Sequence, residues 1–417
     1  MVIYESHIGL FTKSPSSNTL NPATFSAFNE KIPYLKNLGI NVVEFLPVFE
    51  WDDYTGNLDR ESFFLKNVWG YNPINFFALT KKYSSSNNED SADEINEFKK
   101  LVSSLHKNGI EVILDVVYNH TAEGGVGGKT YNFKAMGEDI FYTKDKENNF
   151  INFSGCGNTL NCNHKVVKDM IIQSLLYWYL EVGVDGFRFD LAPVLGRDSN
   201  SQWARYSLLH ELVEHPILSH AKLIAESWDL GGYFVGAMPS GWCEWNGAYR
   251  DTVRQFVRGD FGQVPELIKR IFGSVDIFHA NKNGYQSSIN FICCHDGFTM
   301  WDLVSYNLKH NLLNGENNQD GENNNHSYNH GEEGLTVNPH ILSLRKQQIK
   351  NMLLILYISQ GIPMLLMGDE MGRTQLGNNN AYCQDNITTW VDWNRRKDFA
   401  DIFLFTKNMI KLRKSYA

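Results

Sequence analysis

The chain has only six cysteines in 417 residues, too few and too scattered for a disulfide framework. Cys156 and Cys162 lack the paired spacing of a zinc site, and Cys293-Cys294 fall together in a predicted strand. Free thiols in a reducing compartment are the expectation. No apolar run approaches the ~18 residues that a membrane-spanning helix needs. The start, Met1-Val2-Ile3-Tyr4, lacks a basic region followed by an apolar stretch and a cleavage site. A cytoplasmic location is therefore expected, with an organellar precursor left open. Positive charge is also short: 38 Lys and Arg against 47 Asp and Glu leave a net charge of −9. That balance argues against nucleic acid and anionic membranes as partners, and it suits a neutral substrate. What is plentiful is aromatic content, 13% of the chain, which fills cores and also stacks on sugar rings.

The length allows one large α/β barrel or two to three ordinary domains. Apolar, β-branched stretches alternate with helical patterns almost from end to end. Predicted strands are Val2–His7, Val42–Leu46, Val112–Val117, Val184–Asp190, Lys222–Ala225, Trp242–Trp245, Ile289–Cys293 and Met364–Met367. Predicted helices are Thr24–Asn37, Ala92–Asn108, Val166–Val182, Trp203–Glu214, Tyr249–Arg258, Leu342–Gln360 and Phe399–Arg413. Eight such repeats predict a closed parallel (β/α)8 barrel over residues 1–417, with a loop insertion at about 121–165 after the third strand. No linker divides the chain. Ser84-Ser85-Ser86-Asn87-Asn88 reads as a solvated loop, and composition alone leaves Asn311 to Gly334 open between a structured and a disordered loop.

Barrel enzymes assemble their chemistry at the C-terminal ends of the strands. The third strand runs into Asp115-Val116-Val117-Tyr118-Asn119-His120, and the fourth delivers Arg188 and Asp190 on one side of the strand. The fifth ends in Ala225-Glu226-Ser227-Trp228-Asp229, the seventh in His295-Asp296. Alone, Arg188 and Asp190 read as a buried structural ion pair. Four apolar strands that all end in carboxylates or histidines point instead to a site, because burying a charge needs a reason. Carboxylates with no thiol, serine triad or phosphate-cradling glycine loop suggest glycoside chemistry. One carboxylate attacks the anomeric carbon while a second, about 5–5.5 Å away, protonates the leaving oxygen. Asp190 and Glu226, on neighbouring strands, are the candidate pair, with Trp228 and Asp296 as candidates for raising the pKa of the acid.

Taken in order, Asp115–His120, Gly186–Asp190, Glu226 and His295-Asp296 resemble the four motifs of the α-amylase family of glycoside hydrolases. Gly39–Pro47 and Gly361–Glu370 resemble two further signature strands. The resemblance implies Asp190 as nucleophile, Glu226 as general acid/base and Asp296 as stabiliser of the oxocarbenium-like transition state. It implies that Arg188 holds the nucleophile, that His120 and His295 bind sugar hydroxyls, and that Tyr71 stacks on a sugar ring. Several stretches are similar to the isoamylase and glycogen-debranching branch, among them Gly155–Asn161, Glu244-Trp245-Asn246-Gly247, Asn314–Asn318 and Gly377–Asp385. That likeness makes the asparagine-rich loop a rim of the substrate groove. It implies retaining hydrolysis of α-1,6 branch linkages in glycogen or amylopectin-type glucans, without a cofactor. An α-1,4-acting amylase and a non-catalytic glucan-binding partner subunit are the alternatives.

Ser227 stands where many of those relatives have proline. Relatives carry a β-domain on either side of the barrel, and both are expected to be absent here. Some members bind calcium near the third-strand loop. Asn119 is the one ligand candidate, but no carboxylate cluster follows it, so no metal is expected. Oligomeric state is not legible in the sequence.

Overall fold

A computed structural model describes residues 1–54, 65–86 and 92–416. Eight strands form the centre: β1 (Ile3–Ser6), β2 (Val42–Phe45), β3 (Glu111–Val116), β4 (Gly186–Phe189), β5 (Lys222–Ala225), β6 (Trp242–Trp245), β7 (Ser288–Phe291) and β8 (Ile362–Leu366). Each pairs in parallel with the next, and β8 returns to β1, closing the predicted barrel. Because strand side chains alternate, each strand feeds two cores. Ile3, Val42, Ile113, Ile224, Ile289 and Met364 meet inside the barrel. Their outward neighbours, such as Tyr4, Val43, Leu114 and Phe187, pack under the surrounding helices. Gly186 is required where β4 meets β5: a Cβ there would lie 2.4 Å from the Lys222 carbonyl oxygen.

The helices follow local signals, with two departures from expectation. The single helix expected at Thr24–Asn37 is two, Phe25–Glu30 and Ile32–Leu38. Pro33 lacks an N–H to continue the first helix and is well placed in the first turn of a second. Thr24 caps the first, and Gly39, at φ 101°, closes the second in the left-handed region. The helix expected from Trp203 begins only at Leu208, where Ser207 and His210 form a reciprocal capping box. Among the described residues no helix separates β5 from β6. That stretch carries Gly231, Gly232, Gly236, Pro239 and Gly241, which break a helix, and it forms a small antiparallel ribbon, Trp228–Asp229 with Gly232–Tyr233.

The serine run is more than a solvated loop. Ser84 and Ser85 bind the Glu97 carboxylate and Ser86 binds Asp93, which ties the loop to helix Asp93–Lys107. Asn87 and Asn88 lie outside the described residues. The asparagine-rich loop is ordered by amides. Asn311 bonds Asn379 at 2.8 Å, Asn314 bonds Asn378 and the Asn380 carbonyl, and Asp320 accepts from Asn314 and Asn380. Composition had left this loop open because isolated amides prefer water; paired across two loops they satisfy one another. Among the described residues no helix is long and apolar enough to cross a membrane.

Candidate active site

One step above the apolar floor of the barrel, the same alternation changes character. Moving up two residues takes Ile3 to Glu5, Val42 to Glu44, Ile113 to Asp115, Gly186 to Arg188 and Ile224 to Glu226. All five of these polar residues are buried. Burying that much charge is costly unless it is paired, and Arg188 is the hub. Its Nη1 donates to both Asp115 oxygens at 2.9 Å and to Asp190 Oδ1 at 3.1 Å. Nη2 stands 2.9 Å from Glu226 Oε2, and the guanidinium lies over the Trp245 indole at 4.1 Å. One cation therefore holds Asp190 and Glu226 side by side at adjacent strand ends. Asp190 is fixed from its other side by Asn119, whose Nδ2 donates to its Oδ2 at 2.6 Å and to its carbonyl at 3.0 Å.

The remaining predicted residues surround this pair. Tyr71 donates its hydroxyl to Asp115 at 2.5 Å and stacks its ring on His295, with centroids 4.8 Å apart. His295 Nδ1 donates to Glu5 at 2.7 Å. Asp296 stays out of the buried cluster: its side chain is 61% exposed, with Oδ2 3.5 Å from His295 Nε2. His120 faces protein acceptors with both ring nitrogens, Asn119 Oδ1 at 2.6 Å and the Tyr71 carbonyl at 3.1 Å. It gives up one of these bonds if it meets a sugar hydroxyl. Asn119 thus spends its amide on Asp190 and its oxygen on His120. Among the described residues no group of three His, Cys, Asp or Glu could hold a metal ion.

Burial dominates the electrostatics of Glu226. Burial pushes Glu226 up to about 8; Asp190 adds to the rise and Asp296 adds less, while Arg188 and the Leu191 N–H oppose it. Trp228, a candidate for raising it, pairs with Tyr233 at an interplanar angle of 9° and lines the same cleft as Glu226. Glu226 is thus a proton-bearing acid at neutral pH, next to a carboxylate pinned by Arg188 and Asn119. A cleft of about 510 Å³ opens over Glu226, Trp228, Trp245 and Asp296, walled by Glu322–Asn325 and Asn379. It accommodates several sugar units.

Asp115, Asn119, Glu5 and Glu44 complete the cluster; the first two lie in the third-strand motif and Glu44 in the Gly39–Pro47 stretch, but the sequence assigns neither glutamate a role. Glu5 and Glu44 were each a lone charge in an apolar strand; the available signal was that each falls two residues after an inward apolar residue. Glu44 is the extreme case. Neither of its oxygens has a hydrogen-bond partner among the described residues. Burial first, then Asp115 and Glu5, hold its carboxyl well above the usual carboxylate range. The native state therefore keeps a proton that the unfolded chain releases above its ordinary value of about 4.5. Native protein binds more protons, so this residue costs stability progressively as pH rises. Replacing Glu44 with Gln removes that cost. The Glu44→Gln variant should gain stability over the parent steadily as pH rises from 5 to 8, by about 1.4 kcal/mol per pH unit while Glu44 stays neutral in the native state, read as a growing difference in melting temperature. Equal shifts at both pH values would show that Glu44 is not held neutral.

With this geometry in view, the likenesses to known proteins are consistent. The family described as alpha amylase, catalytic domain, matches residues 11–152. Isoamylase SU1 of Zea mays, chloroplastic, is 44% identical over 99% of this chain and 55% of its own length. The glycogen operon protein GlgX homolog of Mycobacterium tuberculosis is 46% identical over all of this chain and 58% of its own. The chain spans little more than half the length of these curated relatives. Among solved structures, the pullulanase of Bacillus acidopullulyticus superposes with a TM-score of 0.75 at 28% identity, covering 99% of this chain and 48% of that one. An Anoxybacillus pullulanase complexed with maltotetraose gives a TM-score of 0.76 at 27% identity, over 99% and 57%. Barrel, strand-end residues and relatives agree in what this chain is similar to: the catalytic barrel of the α-amylase family, and within it the isoamylase branch.

Proposed function

We propose that the protein hydrolyses α-1,6 branch linkages in glycogen- or amylopectin-type α-glucans with retention of configuration. The observation that carries this reading is the single guanidinium of Arg188 holding Asp190 and Glu226 together, with the Glu226 carboxyl raised by burial. Relatives named isoamylase and glycogen operon protein, and a structural neighbour solved with maltotetraose, support the substrate class. An Asp190 oxygen attacks the anomeric carbon as Glu226 passes its proton to the departing glycosidic oxygen. The bond to that oxygen breaks, and a covalent glycosyl–Asp190 ester forms. Glu226, now a base, takes a proton from water; the hydroxide adds to the same carbon and releases Asp190. Asp296, exposed in the cleft, faces the positive charge that develops on the ring, and Tyr71 and His295 line the sugar site.

Incubation with amylopectin, followed by iodine staining and chain-length analysis, tests the reading. Linear chains with deeper staining are expected. Short oligomers with fading colour would mean α-1,4 cleavage, and unchanged polymer that is nonetheless bound would mean a binding subunit.

A further inference from the structure

The Glu5 carboxylate has no part in the chemistry above, yet it is buried within the barrel directly behind that site. It comes from the top of β1, in register with Glu44 on β2. Its Oε1 accepts from His295 Nδ1 at 2.7 Å, while Tyr71 stacks on the same imidazole at 22° and Trp69 meets it edge-on at 5.2 Å. The ring has little room to turn. With Nδ1 pointed down at Glu5, Nε2 points up toward Asp296 Oδ2, 3.5 Å away at the mouth of the cleft. A ring whose two nitrogens face two carboxylates is driven to carry a proton on each.

We propose that Glu5 is a positioning residue for this site: from the barrel interior it holds His295 as a doubly protonated, fixed donor whose Nε2–H is presented to Asp296 and to the sugar. The groups around the imidazole are Glu5 on β1, Glu44 on β2, Asp115 on β3, Arg188 on β4, Asp296 beyond β7, and Tyr71. Burial pulls the imidazole down; Asp296 and Glu5 pull it up, Arg188 opposes them, and the balance is about 9. The Tyr71 hydroxyl, 3.3 Å from Nδ1, is already donating to Asp115 and so receives rather than competes. Charge on His295 thus depends on a residue that never reaches the cleft. The role assigned to His295 at the sugar rests on the function proposed above; its protonation does not.

The test is a titration of the whole chain carrying ¹³C-labelled histidine, with His295→Gln used to assign the signal. In the parent protein His295 should remain imidazolium through pH 8. Glu5→Gln keeps the shape and an acceptor oxygen but removes the charge. It should lower the His295 midpoint by at least about one unit, a tenfold change in proton affinity. It should also lower kcat on branched glucan with little change in KM, with the loss growing as pH rises from 6 to 8. A parent His295 that is neutral at pH 7 overturns the proposal without any variant. An unmoved midpoint in Glu5→Gln overturns it as well. If Glu5→Gln does not fold, Glu5→Asp, whose shorter arm withdraws the carboxylate, should produce a smaller fall in the same midpoint. A protein inactive on every glucan but with the expected titration would refute the proposed activity and leave the Glu5 assignment standing.

Discussion

Asp190→Asn should abolish glucan hydrolysis while leaving the protein folded and able to bind its substrate. The amide is the size of the carboxylate but cannot form an ester with the anomeric carbon, so the loss in turnover should be on the order of 10⁴-fold or more. Folding should survive because Arg188, the cation exposed to the change, keeps both Asp115 bonds at 2.9 Å and its contact with Glu226. Removing the sole partner of a buried charge costs about 3–5 kcal/mol; here Arg188 keeps the Asp115 carboxylate, and Asn119 can still donate to the oxygen of the new amide. Release of reducing ends from amylopectin, read beside glucan retention in affinity electrophoresis, separates the two effects. Retained activity above about 1% of the parent would remove Asp190 from the role of nucleophile.

Glu226→Gln should cost about 10²–10⁴-fold on glucan, the range associated with a positioned acid or base. The sign of the pH effect follows from the same residue. Burial holds Glu226 at about 8, so the acid is loaded below that pH and empties above it. Parent kcat/KM should fall as pH rises through about 8, and Glu226→Gln should lack that limb. A substrate whose leaving group needs no proton sharpens the assignment. With an α-maltosyl fluoride, Glu226→Gln should release a rapid burst of fluoride and then stall, because the ester on Asp190 forms without an acid but waits for a base to activate water. Slow fluoride release with no burst would place Glu226 outside proton transfer. Since Glu226 is already neutral near pH 7, the exchange to Gln should leave the melting temperature close to that of the parent.

Much of this site was legible in the chain because the chemistry sits where apolar strands end. Val184-Asp185-Gly186-Phe187-Arg188-Phe189-Asp190 announces both a buried strand and a pair of charges on one side of it. His295-Asp296 and Glu226 follow the same rule. Two features escaped it. The pairing of Trp228 with Tyr233, across the ribbon between β5 and β6, carries no signal in the sequence. The helix expected at Thr24–Asn37 divides at Pro33, where a local signal was present and outweighed by the periodicity around it.

Strand order, barrel closure and the identity of the carboxyl pair were therefore set by local information: alternation, apolar runs and polar residues at their ends. Which buried charges meet was not. Glu5 and His295 are 290 residues apart in the chain, and nothing in either segment names the other. Eight strands must close before β1 lies beside β8 and β2, and before the layer above the apolar floor brings Glu5, Glu44, Asp115, Arg188 and Glu226 into one water-poor space. Only there do burial first, and then the neighbouring charges, leave Glu226 protonated and Glu44 neutral, while Asp296 and Glu5 make His295 a cation. Periodicity places each side chain on a face; closure of the barrel decides its neighbours, and the neighbours decide its charge.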